Sequence, residues 1–317
     1  MRLVFLDAES VGDDLDLNAL RATADECHLY PTTGPADLAD RLAGADIVVT
    51  NKVLLDRHAL ESADSLKLVC VIATGTNNVD LDAARERGIP VCNVRNYGAA
   101  SVAQHVMGLI LSLATRQHDY HQAAMDGRWG QARHFCLLDF PIMELPGKTL
   151  GIVGHGDLGR AVAAMAEGIG MKVLVSARVG SESAPVGRVV LEEMLPQVDV
   201  LSLHCPLTDQ TRDLMNAERI ALMKPGALLI NAARGGVVNE QALADALRSG
   251  HLGGAGVDVL TEEPPVNGNV LLDESLPNLI VTPHVAWATR EARQRCVDLT
   301  VANIEAWQAG SPSNLVN

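Results

Sequence analysis

One stretch limits what this chain can fold into: Thr149 to Arg178, TLGIVGHGDLGRAVAAMAEGIGMKVLVSAR. It reads as an apolar strand, a glycine-rich turn, an alanine-rich helix and a second strand. Gly154, Gly156 and Gly159 fill the GxGxxG positions. The first permits a tight turn, the second lets the backbone approach a pyrophosphate, and the third lets the helix pack close to the sheet. The opening helix turn then offers unpaired N–H groups and a positive dipole end to that phosphate. A glycine turn in an α/β sheet can also bind nothing. The strand before it and the helix and strand after it favour a dinucleotide.

The end of the second strand bears on which dinucleotide. An NAD-binding unit usually places an acid there, about twenty residues on, to accept the ribose hydroxyls. Here Lys172–Ser176 runs into Ala177 and Arg178, and no carboxylate follows until Glu182. The missing anion removes the repulsion against a 2′-phosphate, and a guanidinium can grip that phosphate with two hydrogen bonds. Arg178 therefore points to NADPH over NADH. The plainer reading is a solvent-facing arginine in a loop.

At 317 residues the chain is long enough for two domains with substantial cores. A hydrophobic share of 48% and a charged share of 20% are ordinary for a globular protein. The net charge of −14, from 25 basic and 39 acidic residues, argues against a nucleic-acid or anionic-membrane surface. The opening MRLVFLDAES reads as a strand running into acids rather than a signal peptide, and no apolar run reaches transmembrane length. Cys27, Cys70, Cys92, Cys136, Cys205 and Cys296 are scattered with no CxxC pair, so no metal site or disulfide framework is expected. The cytoplasm is the default setting.

The first hundred residues alternate strands (Leu3–Leu6, Cys27–Tyr30, Ile47–Thr50, Leu68–Ile72, Val91–Asn93) with helices such as Ala36–Ala43 and Asp80–Arg87. That spacing predicts a parallel sheet with helices on both faces, whose strand-end loops form the ligand edge. Asn51-Lys52 and Ala73-Thr74-Gly75-Thr76 lie on that edge. They read either as Lys52 and backbone N–H groups facing an anionic substrate, or as tight turns with an exposed lysine. From Ser101, a plausible N-cap, a long helix runs through SVAQHVMGLILSLATRQHDYHQ with apolar residues at helical spacing. His105 on it is more often a packed or surface histidine than a catalytic one. Asp126–Met143 reads as a loop.

After Arg178 the predicted strands are Val198–His204, Ala227–Asn231, Ala255–Val259 and Leu279–Thr282. With the two around the glycine turn they make six, the number expected of a dinucleotide-binding sheet. Helices are predicted over Asn216–Met223 and Glu240–Arg248, and a tail helix over Arg290–Gln308 must dock on something apolar. The loops after these strands carry Arg234, then Glu263, then His284. Each alone has a bland reading; on successive ends of one sheet edge, beside a nicotinamide, they make a reduction centre.

These residues carry a resemblance. GTNNVDLDAARERGIPV, NYGAASVAQH, the glycine turn, HCPLT, LMKPGALLINAARGGVVNEQAL, GVDVLTEEPP and TPHVAW together resemble the D-isomer-specific 2-hydroxyacid dehydrogenases over nearly the whole chain. NYGAASVAQH and HVAWAT most resemble the glycerate dehydrogenase/hydroxypyruvate (glyoxylate) reductase branch. The departure is Ala177-Arg178, where NAD-using members carry an acid.

The resemblance implies an α/β fold of two doubly wound, parallel-sheet, Rossmann-like domains with a cleft between them. Residues 1–98 completed by 286–317 would form a flavodoxin-like substrate domain, and 99–285 the dinucleotide domain. It implies a homodimer and the reduction of a small 2-oxo acid, such as glyoxylate or hydroxypyruvate, to the D-2-hydroxy acid. The cofactor would be NADP in preference to NAD. Arg234 would hold the carboxylate and polarise the carbonyl, His284 would donate the proton, and Glu263 beside it would favour the imidazolium. Thr74–Gly75 N–H groups would make a second carboxylate contact. Asp157, Leu158, Cys205, Pro206, Ala232, Ala233 and Asp258 would border the cofactor, with Arg234 and His284. The alternatives are a dehydrogenase of another 2-hydroxy acid, such as 3-phosphoglycerate or D-lactate, and a non-catalytic, dinucleotide-responsive corepressor-like module.

Overall fold

A computed structural model describes residues 1–181 and 183–317; Glu182 lies outside the described residues. In chain order the elements are β1 (Arg2–Phe5), α1 (Asn18–Arg21), β2 (Glu26–Leu29), α2 (Pro35–Leu42), β3 (Ile47–Thr50), α3 (Arg57–Ser62), β4 (Leu68–Val71), α4 (Leu81–Glu86) and β5 (Val91–Cys92). Next come α5 (Ala99–Thr115), α6 (Gln117–Met125), β6 (Thr149–Val153), α7 (Asp157–Gly168), β7 (Lys172–Val175), α8 (Leu191–Met194) and β8 (Val200–Leu203). The chain closes with α9 (Ala217–Leu222), β9 (Leu228–Asn231), α10 (Glu240–Arg248), β10 (Gly254–Val257), β11 (Leu279–Val281) and α11 (Arg290–Gln308).

The chain divides into two compact units, Met1–Gly98 with Ala288–Asn317, and Ala99–Trp287. The second boundary falls after Trp287 rather than before residue 286. Ala286 is held inside the second unit, its N–H donating to Asp258 and its carbonyl accepting from Ser101.

The first unit is a five-stranded sheet in the order β2-β1-β3-β4-β5, parallel throughout. Successive residues of each strand point to opposite faces, and both faces are covered. Val4, Val48, Val69 and Val71 enter one buried cluster, while Leu3, Phe5, Ile47, Val49, Leu68 and Cys70 enter another. The second cluster is closed by Cys296, Val297, Val301 and Ile304 of α11, the apolar dock that the tail helix needs. Side-chain caps start the helices: Asp56, Asp80 and Thr289 accept the N–H three residues on.

The second unit is a six-stranded parallel sheet, β11-β10-β9-β8-β6-β7. Alternation again fills two cores: Leu201, Leu203, Leu229 and Val257 face one side, and Leu150, Ile152, Val200 and Ile230 the other. The order differs from that of a standard dinucleotide sheet, which has one more strand outside β7. In its place a single parallel bridge joins Ser176 to Val189. The sequence reading did not place residue 189 in the sheet, because one paired residue makes no apolar run.

Two helical expectations change. Ser101 is not an N-cap: it lies inside α5, buried, with its hydroxyl donating to Ala286 O at 2.6 Å. The long helix is also broken, since Arg116 adopts a left-handed conformation (φ 54°) that ends α5 and precedes α6. The short helices α1, α3 and α8 had no counterpart among the sequence expectations.

Candidate functional site

The site is built at the carboxyl edge of the second sheet, beginning at the turn after β6. Gly154 has φ +92°, and a Cβ there would stand 2.6 Å from the His204 carbonyl carbon. Gly159 lets the first turn of α7 close on Gly154, whose carbonyl oxygen a Cβ would meet at 2.1 Å. Gly156 differs: a Cβ on it would meet nothing within 4 Å. Protein packing therefore explains the first and third glycines but not the second, whose open face suits a phosphate at the α7 N-terminus. Asp157 and Leu158 form that first turn, with Asp157 paired to Arg160.

At the end of β7, Ala177 is buried and Arg178 is exposed. A crevice of about 860 Å³ opens here, lined by His155, Ser176, Arg178, Arg188, Cys205 and Pro206 among others. Arg188 was missed by the sequence reading. It is carried by the strand-like bridge at Val189, its guanidinium donating to Ser176 O at 3.3 Å and lying 3.5 Å from His155 Nδ1. Burial, then the charges of Arg188 and Arg160, hold His155 below the usual histidine value. Behind Gly154, burial pushes His204 down to about 4, and its Nε2 pairs with Ser202 Oγ at 2.9 Å. Cys205 is a buried thiol whose backbone abuts Gly154.

The remaining strand ends gather the charged groups. After β9, Asn231 staples a turn, its side chain accepting from Ala233 N–H (3.1 Å) and donating to Arg234 O (3.0 Å). Ala232 and Ala233 are buried and Arg234 is exposed. One Arg234 N–H donates to Ala233 O at 2.7 Å. Gly235 has no room for a side chain, because a Cβ would lie 1.8 Å from Leu260 O. That approach brings the Arg234 turn against the loop carrying Glu263.

Glu263 uses both carboxylate oxygens: Oε1 accepts from Leu260 N–H at 2.9 Å, and Oε2 lies 2.7 Å from His284 Nδ1. Burial works to raise this carboxyl. The His284 hydrogen bond, the Leu260 N–H and the charges of His284 and Arg234 outweigh it and bring the group below the usual carboxylate range. Arg234 and His284 therefore both lie within electrostatic reach of Glu263, on the loops after the adjacent strands β9, β10 and β11. With Nδ1 committed to Glu263, Nε2 is the ring nitrogen left to meet a substrate.

His284 itself has φ +53°, a conformation rare outside glycine, and its loop is held by Asp258. Asp258, 1% exposed, accepts from Thr282 Oγ1 (2.6 Å) and from the N–H groups of Val285 and Ala286 (2.9 Å each). Its backbone carbonyl accepts from His284 N–H at 2.8 Å.

The other expected substrate contacts belong to the first unit. Lys52 and Thr74 are exposed after β3 and β4, and Gly75 is half-buried. The N–H groups of Asn51 and Lys52 do not face a ligand: the buried Asp7 carboxylate takes them at 2.9 and 2.6 Å. The expectation for these positions narrows to the Lys52 side chain and the Thr74–Gly75 backbone. Among the described residues no group of His, Cys, Asp and Glu is arranged to hold a metal ion. No described helix is long and apolar enough to cross a membrane.

Comparison with known proteins agrees with this geometry. The sequence model described as "D-isomer specific 2-hydroxyacid dehydrogenase, NAD binding domain" matches residues 107–286. A glycerate dehydrogenase of Methylorubrum extorquens is 44% identical over 99% of this chain and 98% of its own. A hydroxypyruvate reductase of Blautia hydrogenotrophica is 40% identical over the whole of both chains. Among solved structures, an NADPH-dependent glyoxylate/hydroxypyruvate reductase of Sinorhizobium meliloti superposes with a TM-score of 0.81 at 28% identity, covering 99% of this chain and 97% of the other. A glycine turn shaped for a dinucleotide, a charged centre on adjacent strand ends and these full-length matches converge: the chain belongs to the D-isomer specific 2-hydroxyacid dehydrogenases.

Proposed function

We propose that this protein reduces a small 2-oxo acid of the glyoxylate or hydroxypyruvate type to the D-2-hydroxy acid, drawing on a nicotinamide dinucleotide. The observation that carries the reading is the His284–Glu263 pair, 2.7 Å apart, in the field of Arg234 on the neighbouring strand end. The names of the glycerate dehydrogenase and hydroxypyruvate reductase relatives support it.

The nicotinamide, when bound, supplies the hydride for the carbonyl carbon. Arg234 holds the substrate carboxylate and polarises the carbonyl, its fork suiting a planar anion better than an ammonium would. His284 gives the proton from Nε2 to the carbonyl oxygen as charge develops there. Glu263 fixes the ring by its Nδ1 and balances the imidazolium. Within the first unit, read as the substrate domain, Lys52 and the Thr74–Gly75 backbone are the groups that suit an anion. Asp157, Leu158, Cys205, Pro206, Ala232, Ala233 and Asp258 border the dinucleotide.

The preferred cofactor in this reading is NADPH. Arg178 and Arg188 both line the crevice at the end of β7, and the small Ala177 stands where an acid would repel a 2′-phosphate. The NADPH dependence of the Sinorhizobium meliloti enzyme is a supporting parallel. The six free cysteines fit a reducing, cytoplasmic setting.

Steady-state assay with glyoxylate and hydroxypyruvate, each with NADPH and NADH, tests the proposal. We expect turnover of at least one acid, with kcat/KM favouring NADPH by about ten- to a hundredfold. A ratio favouring NADH removes Arg178 and Arg188 as phosphate ligands. Absence of turnover removes the reductase reading itself.

A further inference from the structure

His105, whose residue type and helical setting suggest a packed or surface histidine, is tied to the loop that aims His284. Its Nε2 lies 3.0 Å from Thr282 Oγ1, and that hydroxyl lies 2.6 Å from Asp258 Oδ1. A threonine hydroxyl has one hydrogen, and a carboxylate can only accept. The shorter contact therefore takes the threonine hydrogen, and the oxygen is left to accept from His105. This fixes a hydrogen on Nε2 of His105 and gives the chain a direction: His105 donates to Thr282, which donates to Asp258, while the direct 3.6 Å from His105 Nε2 to Asp258 Oδ1 is too long for a hydrogen bond. Asp258 in turn gathers the N–H groups of Val285 and Ala286, the two residues that directly follow the left-handed His284.

A second tether starts one turn earlier on the same helix. Ser101 Oγ donates to Ala286 O at 2.6 Å, and residues four apart share a helix face. One face of α5 thus grips both ends of the loop from Thr282 to Ala286, and His105 supplies the polar link that reaches Asp258.

We propose that His105 is a positioning residue for His284, acting through Thr282 and Asp258 on the backbone that aims the imidazole. The role rests on the reading of His284 as proton donor given above. It predicts an effect on turnover rather than on binding, because His105 acts on the orientation of the donor. The loss should be recoverable by a side chain that restores the donated hydrogen.

The experiment compares the unaltered enzyme with His105→Ala, His105→Gln, Thr282→Val and the double variant His105→Ala/Thr282→Val, using NADPH with hydroxypyruvate or, if that acid is not turned over, glyoxylate. We expect His105→Ala to lower kcat about tenfold with both KM values held within about twofold. His105→Gln, whose amide can donate to Thr282, should recover most of the loss. The double variant should be no slower than Thr282→Val alone, because both changes cut the same chain. An unaltered enzyme with no turnover of either acid overturns the functional reading and this role with it. In an active enzyme, the role alone is overturned if His105→Ala keeps its kcat, if His105→Gln is as slow as His105→Ala, or if the two losses multiply in the double variant.

Discussion

Arg234 carries a permanent charge on a turn that Asn231 pins from both sides. Replacing it by lysine keeps the charge and discards the fork, so kcat/KM for a 2-oxo acid should fall on the order of a hundredfold, equivalent to roughly 3 kcal/mol. Near-normal activity of Arg234→Lys would remove the carboxylate role. Glu263 has a pKa lowered in the folded chain, so it is anionic at neutral pH and loses that charge only on strong acidification. By linkage, its contribution to stability is complete above the ordinary glutamate range and is lost as pH falls through the depressed value. Glu263→Gln should flatten the acid limb of a stability-against-pH curve. It should also lower kcat, since the imidazole loses the carboxylate that holds its Nδ1 at 2.7 Å. A superimposable stability curve with an unchanged kcat would reject the pairing. Arg234, Glu263 and His284 were legible because each follows a strongly patterned strand. Arg188 and the chain from His105 to Asp258 were not: a histidine on an apolar helix and an arginine beside a single bridge leave no local signal.

At the scale of elements, the glycine turn shows that one motif serves two physical ends. Gly159→Ala would drive a methyl into Gly154 O, so it should destabilise the chain by about 1–3 kcal/mol and lower the melting temperature. Gly156→Ala meets no protein atom and should leave the melting temperature nearly unchanged while weakening NADPH binding. Thermal melts with and without NADPH separate the two, and identical behaviour would contradict the assignment of roles. The strands were legible in the sequence because runs such as Ile47–Thr50 and Val200–Leu203 are buried along their whole length. Helix ends were harder. Ser101 has the chemistry of a cap, yet its hydroxyl is spent on Ala286 inside α5. The break at Arg116 turns on one backbone dihedral, which apolar periodicity does not encode.

At the scale of the whole molecule, the end of α6 and the segment after it expose an unusual share of large apolar groups. Met125, Trp129, Phe135, Leu138 and Ile142 are 72, 56, 90, 82 and 59% exposed. We propose that these side chains are covered by a second copy of the chain in the homodimer that the sequence resemblance implies. Phe135→Ser with Leu138→Ser should shift the mass measured by sedimentation toward one chain, and a monomeric unaltered protein would contradict the dimer. The central claim is chemical and is tested on the product. Unaltered enzyme mixed with NADPH and hydroxypyruvate should oxidise the cofactor in step with formation of D-glycerate alone, while glyoxylate, whose product has no stereocentre, should show the oxidation only. No oxidation with any of these acids, or a product of the L configuration, would contradict the account.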